Sequence, residues 1–305
     1  MYRDPIYDGA TDPTVVVDPE GVWLMFYTQR RATHPDPGPD VAWVHGTRIA
    51  VARSTDGRSW TYAGTLEPAN DGLVMTPGAP PMRTQHTYWA PEVVRHGALW
   101  HMYVSEIEGV PSRWRGHGRQ IVEYRSPDLR SWTRSQVLRL TSARVIDAAV
   151  ARTPDRRWRL WYKDEDNRAH TYVAMSEDLE AWSVEGVAID GRPHEGPYAF
   201  PLGGWWWMLT DEWSGLAVYR SDDAISWARQ EGERLLAESG SEVPGGQFGR
   251  HGSVTLHDGR ALLYYFTHPE WDGRDDDQRN EVRHRPSSVH VAELSVRNGR
   301  LVCSR

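Results

Sequence analysis

The feature that most constrains the fold is a repeat that occurs five times along the 305-residue chain. Each repeat begins with a short β-prone segment, passes through a tight turn and continues into an aromatic-rich strand, such as residues 22–27. The segments begin at Asp12, Ala90, Asp147, Glu195 and His251. A repeat architecture brings equivalent positions to one axis. We therefore expect the carboxylates of Asp12, Asp147 and Glu195 to meet at a common centre, which suggests an acid/base enzyme.

A second repeat has the pattern S-x-D-x-x-x-W and occurs at 54–60, 126–132, 176–182 and 221–227. The aspartate suits a turn in which the side chain bonds its own backbone, and the tryptophan opens the following strand. A binding site would use one copy of a motif, whereas this motif recurs in four repeats. We interpret it as structural.

Alternating apolar and polar residues, broken by Gly, Pro and Asp, predict about four strands per repeat and little helix. The predicted strands are 12–17, 22–28, 47–53 and 60–65; 91–95, 98–104, 120–125 and 132–138; 147–152, 157–163, 170–175 and 182–187; 197–201, 205–210, 216–220 and 227–236; and 251–257, 261–267, 288–295 and 299–303. The sequence therefore predicts an all-β, five-bladed β-propeller with four antiparallel strands per blade, formed by one domain over residues 1–305.

The composition and charge of the chain limit the kinds of partner that it could bind. A net charge of −7 and an isoelectric point near 6.0 argue against nucleic acid or an anionic membrane as partner. The single cysteine, Cys303, has no partner for an internal disulfide, and the amino-terminal residues lack the pattern of a signal peptide. We therefore expect a cytoplasmic location, and the sequence does not predict the oligomeric state.

Of the 35 basic residues, 34 are arginine, and the exception is Lys163. A lone lysine in so arginine-rich a chain is explained by a need for a compact, mobile ammonium group. The alternative is a surface lysine without a function.

Loop lengths indicate where a substrate would bind. The connections between second and third strands are long at 29–46, 104–119 and 268–287, and the linkers 66–89 and 237–250 are long as well. In an up-and-down blade these loops lie on the face where the first strands begin. A pocket walled by loops around the acids favours attack at the end of a small oligosaccharide over cleavage within a polymer.

Cleavage of a glycosidic bond without a cofactor needs an acid for the leaving oxygen and a base or nucleophile opposite it. Asp12 and Glu195 can supply this pair. Asp147 would be a third carboxylate that raises the pKa of the acid and holds its orientation, because like charges in a confined site resist joint ionisation.

These motifs carry a resemblance to a known family. The series Thr11-Asp12-Pro13, Trp89-Ala90-Pro91-Glu92, Val145-Ile146-Asp147, Glu195-Gly196-Pro197 and Gly249-Arg250-His251-Gly252, each followed by an aromatic strand, resembles the propeller glycosidases of glycoside hydrolase family 43. The resemblance implies an inverting hydrolase with Asp12 as general base, Asp147 as pKa modulator and Glu195 as general acid. It also implies that His251 could contact, through water, a structural calcium ion in the central channel, while no cofactor is required for the chemistry. Glu92 lies two places beyond the shared register and is left out of the catalytic set.

Some residues depart from the general family pattern, among them 45–47, 161–165 and His194. They are similar to the related propeller family that removes 3,6-anhydro-galactose from agar oligosaccharides, where a histidine is a candidate acid. The resemblance to family 43 points instead to terminal arabinofuranose or xylose.

Six further residues are candidates for substrate binding: His86, Trp89, Lys163, His194, Tyr198 and His251. Aromatic and histidine side chains beside the first strands could stack on or bond to a sugar. Each also has a structural explanation, because propeller cores are rich in such residues.

Two other functions remain open at this stage. A glycoside phosphorylase would need basic residues where the attacking water stands, and Arg83, Arg113, Arg115 and Lys163 lie in suitable loops. The retained base Asp12 argues for water as the nucleophile. A non-catalytic sugar-binding propeller would tolerate loss of an acid, whereas all three acids are present.

Overall fold

A computed structural model describes residues 1–78, 85–237, 248–271 and 281–305 of the chain. Strands dominate it, and the helical segments in the described residues are two short 3₁₀ turns, Asp40–Val44 and Val282–His284. The prediction of an all-β fold is confirmed. None of the helical turns in the described part is long enough to cross a membrane.

The strands form four antiparallel sheets. The largest has nine strands in the order β1-β2-β3-β4-β5-β9-β8-β7-β6. Its strands are β1 (Ala10–Val17), β2 (Trp23–Gln29), β3 (Arg48–Ser54), β4 (Thr61–Ala69), β5 (Gly72–Thr76), β6 (His86–His96), β7 (Leu99–Glu108), β8 (Gln120–Ser126) and β9 (Ser131–Val137).

The other three sheets have four strands each, in chain order. They comprise β10 (Val145–Arg152), β11 (Trp158–Asp164), β12 (His170–Ser176) and β13 (Ser183–Ile189); β14 (Glu195–Leu202), β15 (Trp205–Asp211), β16 (Leu216–Ser221) and β17 (Ala228–Arg229); and β18 (Arg250–His257), β19 (Arg260–Thr267), β20 (Ser288–Arg297) and β21 (Arg300–Ser304).

The nine-stranded sheet differs from the prediction of separate four-stranded blades. Strand β5, which falls in a stretch predicted to be a linker, pairs with β4 on one side and with β9 on the other. It therefore joins β1–β4 and β6–β9 into one sheet. Strand β17 is also much shorter than the predicted strand 227–236.

The first strands of the repeats surround one centre. Strand β1 contacts β6 and β18, strand β10 contacts β6 and β14, and β14 contacts β18, so the five strands follow one another in a closed circle. Buried apolar clusters fill the spaces between neighbouring sheets, one of them around Trp207 and Leu263 and another around Tyr103 and Leu160. The first strands of the five repeats are therefore neighbours around one axis.

The S-x-D-x-x-x-W motifs form the turns that were expected of them. In the first copy, Asp56 Oδ1 accepts hydrogen bonds from the backbone N–H groups of Arg58 and Ser59, each at 2.7 Å. The copies around Asp128, Asp178 and Asp223 make the equivalent pair of bonds. These aspartates are therefore structural, and they lie in turns between the third and fourth strands.

Candidate active site

A β-bulge interrupts the first strand of every repeat at the same place. Two residues of each first strand stand opposite one residue of the second strand, between Thr11/Thr14, Trp89/Glu92, Ile146/Ala149, Glu195/Tyr198 and Arg250/Ser253. The residue that follows the first member of each pair has a positive φ, between 37° and 61°: Asp12, Ala90, Asp147, Gly196 and His251. A bulge re-aims side chains, and bulges recur beside active sites.

This register corrects one sequence-based expectation. Glu195 was aligned with Asp12 and Asp147, but the bulge position of the fourth repeat is Gly196. Glu195 lies one residue earlier, where the other repeats place Thr11, Trp89, Ile146 and Arg250. Its carboxyl group therefore enters the site from a different backbone position than those of the two aspartates.

Asp12 lies in a partly basic environment. Its Oδ2 accepts a 3.0 Å hydrogen bond from the Thr11 hydroxyl, and the Arg30 guanidinium lies 3.7 Å from the same oxygen. His251 Nδ1 is 3.5 Å from the other oxygen, Oδ1. The two oxygens of Asp12 therefore face basic side chains on different sides of the carboxyl group.

Asp147 is buried and bonded to the next repeat. Its Oδ2 accepts a 3.0 Å hydrogen bond from the backbone N–H of Gly196, and its own N–H is donated to Ser105 Oγ. Burial raises the pKa of Asp147 to about 6, and the negative charge of Glu195 adds to this effect, while His251 opposes it. Asp147 therefore holds a proton well above the usual range of an aspartate.

Glu195 is the most accessible of the three acids, with 28% of its side chain exposed against 7% for Asp12. Its Oε2 accepts a 3.0 Å hydrogen bond from Lys163 Nζ. Burial acts to raise the pKa of Glu195, but the charge of Lys163 outweighs it and lowers the pKa to about 2. The neighbouring ammonium group therefore favours the ionised form of Glu195.

His251 lies among the acids, with its ring against Gly196. Burial acts to lower its pKa, but the charges of Asp147, Asp12 and Glu195 outweigh burial and raise it. The imidazole therefore favours its charged form. A cation at this point balances carboxylates that would otherwise repel one another.

Sequence reasoning missed a fourth buried carboxylate, Asp211. It pairs with Glu195 across β14 and β15, and it accepts hydrogen bonds from the backbone N–H groups of Trp213 at 2.6 Å and His251 at 3.1 Å. Burial raises the pKa of Asp211 to about 6. The signal that could have found it is its place as the polar end of an aromatic second strand.

Equivalent positions in other second strands support the bulges in the same way. Thr28 Oγ1 accepts the N–H of Ala90 at 2.8 Å, and Ser105 Oγ accepts that of Asp147 at 3.0 Å. Lys163 occupies this position in β11. An ammonium group cannot accept a hydrogen bond, and the N–H of Gly196 is bonded to Asp147 instead.

Lys163 is buried, so the interpretation of it as a surface lysine is wrong.

Glu92, which was left out of the catalytic set, lies in the interior, where it accepts hydrogen bonds from Thr14 Oγ1 at 3.0 Å and Val150 N at 3.3 Å. Burial raises the pKa of Glu92 to about 8. It links three repeats from beneath the site.

The remaining candidates lie in different surroundings. Trp89 is buried, donates its Nε1–H to Val44 O at 2.7 Å and carries the Arg119 guanidinium 5.0 Å above its ring. His194 is fully buried, with its ring nitrogens bonded to Thr171 Oγ1 and Arg192 O.

His194 could therefore contact a sugar only after those bonds break. His86 is exposed at the start of β6. Tyr198 is half-buried, and its hydroxyl donates to Val254 O.

The basic residues considered for a phosphate site are dispersed. Arg113 and Arg115 are exposed, Lys163 is paired with acids, and Arg83 lies outside the described residues. Parts of the predicted loops 66–89, 237–250 and 268–287 also lie outside the described residues.

The resemblance implies a calcium ion that His251 would contact through water. Calcium takes six to eight oxygen ligands, and within the described residues no group of three or more His, Cys, Asp or Glu side chains is arranged to hold a metal ion. His251 faces Asp12 directly and donates its backbone N–H to Asp211. These residues do not fit a calcium site as they stand.

Comparison with known proteins adds three findings. A profile described as glycosyl hydrolases family 43 matches residues 2–285. No curated protein sequence matches the chain. Many solved structures do, and those described below share less than a fifth of their residues with it.

A thermostable family-43 glycoside hydrolase is 18% identical, with a TM-score of 0.69 over 99% of this chain and 96% of the other. An exo-1,5-α-L-arabinanase from a bovine ruminal metagenomic library is 16% identical, with a TM-score of 0.66 over the whole of both chains. A xylan β-1,4-xylosidase from Bacillus halodurans C-125 is 15% identical, with a TM-score of 0.70 over 99% of this chain and 56% of the other. The fold is shared with all three.

Proposed function

The chain belongs to family 43 of the glycosyl hydrolases and is a glycosidase, and we propose that it is an inverting, exo-acting enzyme that releases a terminal sugar from short oligosaccharides. Arabinofuranose or xylose is the proposed sugar class. The structural neighbours that support this class are an exo-arabinanase and a xylosidase. We also propose that the nine-stranded sheet represents two of five four-stranded blades, joined by β5.

The observation that carries the proposal is that three acids surround His251: Asp12 and Asp147 at bulge positions, and Glu195 directly before one. Asp12 would take a proton from the attacking water, Glu195 would protonate the leaving oxygen, and Asp147 would hold the backbone beside Glu195. The proton gained by Asp12 returns to solvent, and Glu195 regains one, so the sum of the reaction is the addition of water. The chemistry calls for no cofactor.

Glu195 is assigned as the acid although Asp147 has the higher pKa. Glu195 offers the larger exposed area to a substrate, whereas Asp147 is buried and its Oδ2 is bonded to Gly196. A general acid must reach within hydrogen-bond distance of the leaving oxygen, so geometry comes before pKa. Glu195 must then be protonated when the sugar is bound, which requires Lys163 to loosen its hold.

The test is a panel of chromogenic glycosides, including α-arabinofuranoside and β-xyloside, assayed with the wild type and Glu195→Gln in parallel. The proposal predicts activity of the wild type on at least one pentoside, and a strong loss in the variant. Arabinotriose and xylotriose then test the exo mode, which predicts release of single sugars from one end. Absence of any sugar release by the wild type would contradict the proposal.

A further inference from the structure

The lone lysine of the chain lies between two carboxylates. Lys163 Nζ is 3.0 Å from Glu195 Oε2 and 3.7 Å from Glu165 Oε1, and it lies 5.4 Å from the centre of the Trp213 ring. Arg119 Nη1 holds the same Glu165 oxygen at 2.7 Å. The ammonium group therefore has two neighbouring partners, and it is now closer to the one we assign as acid.

Lys163 is the one cation at this position of the five second strands, and the fifth repeat has Phe266 there. The equivalent residues Thr28, Ser105 and Asp211 each accept the N–H of the next bulge. The ammonium group of a lysine cannot accept that N–H, and Asp147 accepts the N–H of Gly196 instead. The substitution thus places a cation beside Glu195 and ties Asp147 to the residue after it.

Charged groups of both signs surround Glu195 besides Lys163. The charge of Glu195 raises the pKa of Asp147 on β10 and of Asp211 on β15, and two such carboxylates disfavour the ionised form of Glu195 in turn. His251 on β18 and Arg119 before β8 are the remaining cations near it. Among these cations in the described part of the chain, only Lys163 donates a hydrogen bond to Glu195.

We propose that Lys163 is a positioning residue that holds Glu195 ionised and fixed in the sugar-free enzyme, and that its ammonium group shifts to Glu165 when substrate enters. This inference rests on the proposed role of Glu195 as general acid. The lysine side chain is flexible and carries three donors, so a small rotation exchanges one carboxylate for the other. Glu195, left with two acidic neighbours, then takes up a proton from solvent and passes it to the leaving oxygen.

The first half of the inference is tested by the pKa of Glu195 itself. Carbon-13 carboxyl titration by NMR is measured for the wild type, Lys163→Met and Lys163→Arg, with Glu195→Gln used to assign the signal. Loss of a cation at hydrogen-bond distance should raise the pKa of Glu195 by about 1–3 units in Lys163→Met. Lys163→Arg keeps the charge and should leave the pKa low. Equal pKa values in the wild type and Lys163→Met would overturn the inference.

The second half is tested with Glu165→Gln, which removes the receiving charge and leaves the Lys163–Glu195 pair in place. Turnover of a natural disaccharide linkage should fall about tenfold or more, the scale of general acid catalysis, while the pKa of Glu195 stays low. Unchanged turnover in this variant would overturn the shift to Glu165. Because Glu165→Gln keeps the pair intact, it remains a test even if Lys163→Met does not fold.

Failure of the proposed function has a separate signature. If the wild type cleaves no glycoside, the assignment of Glu195 as the acid is contradicted. The NMR titration still decides whether Lys163 controls the ionisation of Glu195. If the wild type is active but the pKa of Glu195 is the same with and without Lys163, only the proposed role of Lys163 is contradicted.

Discussion

Asp147 and Gly196 are joined by a 3.0 Å hydrogen bond from the Gly196 N–H to the Asp147 Oδ2. The bond crosses from one repeat to the next and ends on the residue directly after Glu195. An aspartate that fixes this peptide also fixes the direction from which the Glu195 side chain leaves the backbone. Asp147 can therefore orient the proposed acid without touching the substrate.

The first prediction concerns the pH–rate profile of Asp147→Asn. Asparagine keeps an oxygen that can accept the Gly196 N–H, so the fold should remain intact. It lacks the negative charge that favours protonation of Glu195, and the pKa of the acid should fall. We expect the basic side of the profile to move to lower pH. An unchanged profile with a near-normal rate would show that Asp147 is only structural.

The second prediction concerns stability, because the pKa of Asp147 is raised from 3.8 to about 6 in the folded chain. Well below pH 3.8 the group is protonated in both folded and unfolded chains. As pH rises towards 6, the unfolded chain loses the proton first, so the stability of the folded chain falls. The rise of roughly two units corresponds to about 3 kcal/mol in the free energy of unfolding.

Asp147→Asn removes this titration. Urea unfolding at a series of pH values from 4 to 7 should show a smaller loss of stability in the variant than in the wild type. Parallel curves for the two proteins would contradict the raised pKa. Ser142→Ala, a change outside the group of proposed catalytic carboxylates, serves as the control.

The third prediction tests the hydroxyl that supports a bulge. Thr28 Oγ1 is buried and accepts the N–H of Ala90 at 2.8 Å. Thr28→Val has nearly the same shape but leaves a buried N–H without an acceptor, which should cost about 1–3 kcal/mol of stability. Thr28→Ser keeps the hydroxyl and should cost less. Thermal unfolding of the two variants measures the difference, and equal melting temperatures would show that the bond is unimportant.

Much of the fold was predictable because short-range sequence patterns specify it. Alternation, turn residues and the S-x-D-x-x-x-W motif each act over fewer than ten residues, and each predicted strand overlaps an observed one. Strand β5 was missed because Gly72–Thr76 lies in a stretch with the length of a linker, and its pairing with β9 is a contact between distant segments.

The sequence predicted which acids to propose for the site, but it did not specify their register. Aligning the repeats by their titratable residues placed Glu195 with Asp12, whereas aligning Pro13, Pro91 and Pro197 would have placed Gly196 there. The contact of Lys163 with Glu195 depends on how two sheets face each other. No local pattern in the sequence specifies that geometry.

The fourth prediction is the stereochemical outcome. An inverting enzyme needs room for a water between base and acid, with the two carboxyl groups roughly 6.5–9.5 Å apart. We expect the Asp12 and Glu195 carboxyl groups to meet this separation when a substrate is bound. Proton NMR of the first-formed sugar should show the anomer opposite to that of the substrate. Retention of configuration would imply a separation of about 5 Å and a covalent intermediate.

The last prediction asks how much of the activity depends on Glu195 as an acid. Protonation matters most when the leaving alcohol is a poor one. Glu195→Gln should therefore strongly reduce the rate of cleavage of natural sugar–sugar bonds. It should reduce the rate far less for an aryl glycoside with an acidic phenol. Asp12→Asn should damage both reactions, because either leaving group needs an activated water.

The comparison needs two variants and two substrates, after circular dichroism has shown that both variants are folded. A selective loss in Glu195→Gln, beside a general loss in Asp12→Asn, assigns the acid and the base separately. Equal losses on both substrates in Glu195→Gln would exclude Glu195 as the acid. Asp147 would then be the next candidate, since burial already raises its pKa to about 6, and Asp147→Asn assayed on the same two substrates would test it.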